Sequence, residues 1–135
     1  RLSTESDGRS RMVEFIVRPG VNKYGLSAGA STGKFLFLGS MALDVEKLKR
    51  LPEADTLENE ARICLDIVET RLNARGLGKR DIVKVTAYAT DVSYMDAMYR
   101  GLEAYFAPGP FPAICPIVAT VAAVCRFEFE IIAAE

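Results

Sequence analysis

Arg126-Phe127-Glu128-Phe129-Glu130-Ile131-Ile132-Ala133 reads as a strand whose two faces have opposite chemistry. Side chains alternate across a strand, so Phe127, Phe129 and Ile131 share one face while Arg126, Glu128, Glu130 and Ile132 share the other. The first face calls for a core. The second calls for water, a partner or a substrate. Large apolar neighbours disfavour the ionised form of a carboxylate and raise its pKa toward the range in which it gives and takes protons near neutrality. An acid so placed is a candidate catalyst. The structural alternative is a sheet edge or subunit seam, with the acids solvated or paired with Arg126.

Working outward, residues 82–89 form another strand, with Val83, Val85 and Ala87 alternating against Lys84, Thr86 and Tyr88. Residues 114–121 and 125–133 are apolar strands joined through Ala122-Ala123. Nearer the start, residues 12–17 and 35–39 are short apolar runs bounded by Pro19-Gly20 and by Gly33, which predicts a hairpin with a long connection. Between these strands lie two helices. Asp55 and Glu58 resemble a capping box, and Leu57, Ala61, Cys64, Leu65, Val68 and Leu72 recur at helical spacing until Gly76. Ser93 is the expected cap of the second helix, whose apolar stripe is Met95, Met98, Tyr99, Leu102, Tyr105 and Phe106 and which Pro108-Gly109-Pro110 stops. The order ββαβαββ predicts an α+β sandwich with two helices packed on one face of a mixed sheet. The sheet face left bare in so small a domain predicts self-association.

Composition narrows the chemistry. The 135 residues include no histidine, so a Ser-His-Asp or Cys-His relay within one chain and an imidazole zinc site are excluded. Proton transfer falls to Glu, Asp, Lys, Tyr or Cys. Cys64, Cys115 and Cys125 are an odd, widely spaced set that indicates neither a disulfide framework nor a metal knuckle, and a reducing, cytoplasmic compartment fits them. Residues 1–11 read as a flexible polar leader, and residues 12–135 as a single domain. A net charge of -1, from 17 basic and 18 acidic residues, exerts no general pull on nucleic acid or anionic lipid. Small molecules and proteins are the expected partners. No apolar run reaches the length of a membrane span.

Several segments together resemble the Rid family, also called the YjgF/YER057c/UK114 family. Asp81-Ile82-Val83-Lys84-Val85-Thr86-Ala87-Tyr88 followed by Thr90-Asp91, the helix end Glu103-Ala104-Tyr105-Phe106, Phe111-Pro112-Ala113 and the closing strand quoted above carry most of the likeness. Asn22-Lys23-Tyr24 is similar to the family's Gly-Pro-Tyr, and the stretch from Lys34 to Met41 is similar to its second strand. The resemblance implies a chorismate mutase-like homotrimer with a central β-barrel and a substrate cleft at each subunit boundary. It further implies hydrolysis of reactive imines and enamines with no cofactor, and it makes Glu128 the catalytic acid. Some members are instead described as ribonucleases or translation inhibitors, a class that the neutral charge and missing histidines oppose.

The chain departs from the family pattern at the substrate grip. Ile114 stands after Pro112-Ala113 where the resemblance calls for the arginine that holds a substrate carboxylate, and an aliphatic side chain offers no such bond. Tyr99 occupies the place of an asparagine in deaminating members, and Met41 that of a glutamine after Ser40. The implied cleft, with Tyr24, Ser40, Met41, Tyr99, Ile114 and Cys115 as substrate-binding residues, is thus more apolar than the family's. Two functions follow: an enzyme for a small, largely apolar imine, enamine or carbonyl-type substrate, acting by hydrolysis, tautomerisation or cyclisation, or an inactive trimeric binding or scaffolding protein. Arg126 is expected to pair with an acid or reach solvent, and Cys64 and Cys115 to be packed. Gly29-Ala30-Ser31-Thr32-Gly33-Lys34 lacks the spacing of a phosphate loop and reads as a flexible turn.

Overall fold

A computed structural model describes residues 13–135, so the leader expected at residues 1–11 and the start of the first strand at Met12 lie outside the described residues. The elements in chain order are β1 (Glu14–Ile16), β2 (Gly29–Ser31), β3 (Phe35–Ser40), β4 (Leu43–Asp44), β5 (Lys49–Arg50), α1 (Leu57–Asn73), β6 (Ile82–Ala89), α2 (Met95–Phe106), β7 (Ala113–Val118) and β8 (Phe127–Ala134). Six strands make one sheet in the order β1-β2-β3-β8-β6-β7, and β4 pairs with β5 separately. All pairings in the large sheet are antiparallel except β6 with β7, which makes the sheet mixed.

β8 is interior, flanked by β3 and β6. Phe127, Phe129, Ile131 and Ala133 are fully buried, as their period-2 spacing predicts. They meet Leu36 and Leu38 of β3, Val85, Ala87 and Ala89 of β6, and the apolar faces of both helices in one continuous core. Both helices therefore cover one face of the sheet. Among the described residues no helix is long and apolar enough to cross a membrane.

α1 begins at Thr56, whose side chain accepts from the Asn59 amide, while Asp55 Oδ1 accepts from the Thr56 amide and from Asn59 Nδ2. The expected Asp55–Glu58 box is thus replaced by a threonine cap, because Asp55 turns its carboxylate onto Asn59. Its end is a Schellman motif, in which the Leu77 amide donates to the Leu72 carbonyl and Gly76 takes a φ of 71°. Ser93 is likewise not the cap of α2. Asp91 accepts from both the amide and the hydroxyl of Ser93 and starts a short 3-10 turn that runs into the helix. On α2 the buried stripe is Ala97, Met98, Leu102 and Phe106; Tyr99 is 45% exposed, one step off the stripe.

Three strand expectations change. β1 does not pair with β3, because Gly29–Ser31, expected to be a flexible turn, forms β2 between them. A Cβ at Gly29 would lie 2.5 Å from the Phe37 carbonyl oxygen, so only glycine permits that approach. In β6, an irregularity between Ile82 and Lys84 moves Val83 off the core face and puts Ile82 onto it. The strands expected at 114–121 and 125–133 are not neighbours, since β6 stands between β7 and β8.

Candidate active site

β8 leaves the core face complete and sends Glu128 and Glu130 to the side away from the helices. Glu128 lies across from Tyr88 of β6, while Glu130 lies between Gly39 of β3 and Thr86 of β6. Glu130 is exposed and Glu128 half-buried. Burial pushes the Glu128 carboxyl above its ordinary value, and the negative charge of Glu130 adds to the rise. Among the described residues no donor hydrogen-bonds the Glu128 carboxylate. It faces a pocket of about 490 Å³.

The pocket is assembled from separate parts of the chain. The loop between β1 and β2 brings Arg18, Val21 and Tyr24, the end of β3 brings Gly39, Ser40 and Met41, α1 brings Arg71, and the connection before β8 brings Ala122 and Ala123. Tyr24 sits in a short 3-10 turn that Gly25 ends with a φ of 76°. The Tyr24 ring carries the Lys23 ammonium 5.2 Å from its centroid. Ser40 lines the pocket wall, but its hydroxyl donates to the Cys64 carbonyl at 2.7 Å, which ties β3 to α1. Four of the seven residues expected from the sequence, Tyr24, Ser40, Met41 and Glu128, therefore share one pocket.

The other three lie elsewhere in this chain. Tyr99 is on the outer surface of α2. Ile114 and Cys115 are on β7, one strand beyond β6, where Ile114 packs against the core and Cys115 faces the open side across from Thr86. Cys115 is exposed, contrary to the packed thiol expected, because its strand borders the sheet and its position has the parity of Glu130. Cys64 is buried as expected, and burial pushes its thiol up to about 12.

Arg126 pairs with an acid, but with neither acid of its own strand. Glu60 of α1, 0% exposed, takes it: Arg126 Nε donates to Glu60 Oε2 at 2.5 Å, and the Arg126 amide donates to Oε1 at 2.6 Å. The Phe127 amide adds a third bond at 3.2 Å, and Arg126 Nη2 reaches the Ala54 and Asp55 carbonyls. Glu60 was missed by sequence reasoning although it falls four residues before Cys64 on the helical stripe. Arg71 was missed for the same reason, three residues after Val68. A charge at the spacing of an apolar stripe was the signal. Among the described residues, no group of three or more Cys, Asp or Glu is arranged to hold a metal ion.

Comparison with known proteins adds relatives. Residues 18–135 match the model of a family described as endoribonuclease L-PSP. Among solved structures the chain is similar to a YjgF-family protein of Neisseria meningitidis, with a TM-score of 0.75 and 19% identity over 93% of this chain and 96% of that one. It is also similar to the Rid-family protein YyfA of Yersinia pestis (TM-score 0.77, 18% identity, covering 92% of this chain and 100% of the other). The E. coli protein TdcF, solved with bound serine, matches with a TM-score of 0.70 and 24% identity over 82% of this chain and 87% of its own. The comparison with curated proteins finds no match.

Proposed function

The chain belongs to the endoribonuclease L-PSP family, that is, the Rid family, and from that premise we propose an enzyme that uses Glu128 as general acid and base on a small imine, enamine or carbonyl-type substrate. One observation carries the reading: a half-buried carboxyl, raised in pKa and with no hydrogen-bond donor among the described residues, faces a cavity. Such a group holds its proton more readily than an exposed carboxylate does and can still release it, as a general acid and base must. In imine hydrolysis, Glu128 takes a proton from the water that adds to the C=N carbon. It returns that proton to the nitrogen to give a carbinolamine, then moves the hydroxyl proton to the same nitrogen as the C–N bond breaks, leaving a carbonyl compound and ammonia or an amine. Tyr24, on the same pocket wall, orients the substrate by its hydroxyl. No cofactor is needed for this sequence of steps.

The assembly in this proposal is the family's homotrimer. The sheet face opposite the helices supports it, since Phe35 and Phe37 are 45% and 42% exposed beside half-buried Ile132. Packing that face against copies of itself would remove the aromatic surface from water. It would also let a neighbouring copy supply Tyr99, Ile114 and Cys115 to the pocket. Three free cysteines accord with action in the cytoplasm. Cleavage of RNA is disfavoured by the absence of histidine and a net charge of -1.

The test is an assay of the wild-type protein and Glu128→Gln on simple enamines and on cyclic imines that lack a carboxylate. Turnover by the first and its loss in the second is the expected result. No turnover by either would return the protein to a binding or scaffolding role.

A further inference from the structure

The pocket that holds Glu128 also holds two arginines. Arg18 enters from the loop after β1 and Arg71 from the last turn of α1, and both are half-buried. The Nη1 of Arg71 donates to the Gly39 carbonyl, which fixes the guanidinium against the end of β3. Among the described residues neither arginine forms an ion pair, and Glu128 is the only acid on the pocket lining. Burial pushes Arg71 below its ordinary value, and the positive charge of Arg18 adds to the fall. Two guanidiniums sharing a cavity repel each other, and surface arginines commonly escape such crowding by pairing with acids or extending into water.

We infer that Arg18 and Arg71 form an anion subsite of the pocket that takes the phosphoryl group of a phosphate monoester. The choice between anions follows from acceptor number as well as charge. A phosphate monoester carries about -1.5 to -2 at neutral pH and offers three terminal oxygens, enough to engage both guanidiniums at once, whereas the two oxygens of a carboxylate are filled by one bidentate arginine. The remaining donors of Arg71 and the fork of Arg18 suit phosphate oxygens, which accept paired N–H donors from arginine. A pocket of about 490 Å³ leaves room for an organic portion reaching from the arginines to Glu128. The inference rests on the reading of this pocket as a substrate site, and it gives that substrate an anionic end. The grip absent at Ile114 is thereby supplied from another part of the fold.

The experiment titrates phenyl phosphate and, in parallel, benzoate into the intact protein by calorimetry. Phenyl phosphate is expected to bind at least tenfold more tightly than benzoate and to weaken as salt rises. Arg18→Gln and Arg71→Gln should each lose about tenfold or more in phenyl phosphate affinity, as expected for a lost charge-assisted bond. Arg71→Lys, which keeps the charge and a donor for Gly39, should fall between them and the wild type. That graded series separates a lost contact from a failure to fold. Phenyl phosphate bound by both glutamine variants as tightly as by the wild type, or benzoate bound as tightly as phenyl phosphate, would overturn the inference. Glu128→Gln, which removes a negative charge from the same pocket, should bind phenyl phosphate at least as tightly as the wild type. If Glu128→Gln also kept its turnover of enamines, the acid–base reading would fail while the subsite stood.

Discussion

Two glutamates approach the start of β8 from opposite sides of the sheet, and their surroundings differ in kind. Glu60 lies in the core, is 0% exposed and accepts three hydrogen bonds, one from the Arg126 side chain and two from backbone amides. Glu128, two residues after Arg126, is less buried and has no donor among the described residues. Depth alone would rank Glu60 as the unusual acid. Hydrogen-bond accounting reverses the ranking, because a buried charge that is fully paired is structural, whereas one left unpaired beside a cavity retains free energy that chemistry can use.

The largest effect is expected at Glu60. Glu60→Ala removes the acceptor of three donors and leaves the Arg126 guanidinium without its carboxylate, so unfolding by urea should show a loss of about 3 kcal/mol or more. A loss below about 1 kcal/mol would put Glu60 and Glu128 in the same class. Glu128→Gln should do the opposite. Turnover falls by about 100-fold or more, the contribution of a positioned acid or base, while stability changes by no more than about 0.5 kcal/mol. A large loss of stability in that variant would make Glu128 a structural acid after all.

Thr56→Ala sharpens the contrast at lower cost. It removes the cap of the helix that delivers Glu60, and a loss of about 1 kcal/mol is expected in the same urea experiment, with activity per folded molecule unchanged. The smallest effect is in pH. The folded-state pKa of Glu128 lies above its unfolded value, so this group's contribution to stability is present below the ordinary carboxylate pKa and is lost as pH rises through the raised one. Glu128→Gln lacks that loss. Its stability relative to wild type should therefore increase with pH across that window, and a difference independent of pH would contradict the burial argument.

Periodic segments were legible in the sequence. The strand expected at residues 82–89 has the bounds of β6, and the alternation of Phe127, Phe129 and Ile131 located the core face of β8. β2 was not legible, because Gly-Ala-Ser carries neither the bulk nor the branching that marks a strand. Its pairing depends on the missing Cβ of Gly29 and on neighbours on both sides. The site was legible only in part, for a related reason. Glu128 stood out within its own strand, but Glu60 meets Arg126 across 66 residues of chain, and Arg71 meets Gly39 across 32. A helical stripe shows that a charge is misplaced without showing what it touches.

The position of β6 between β7 and β8 has a consequence for how loss of activity would be inherited among copies. If each cleft takes Glu128 from one chain and the β7 wall from the next, a chain defective in the first and a chain defective in the second are not equivalent. Co-assembled, they would regenerate some intact clefts that neither possesses alone. In such an assembly, genetic complementation between two inactive alleles would be a property of strand order.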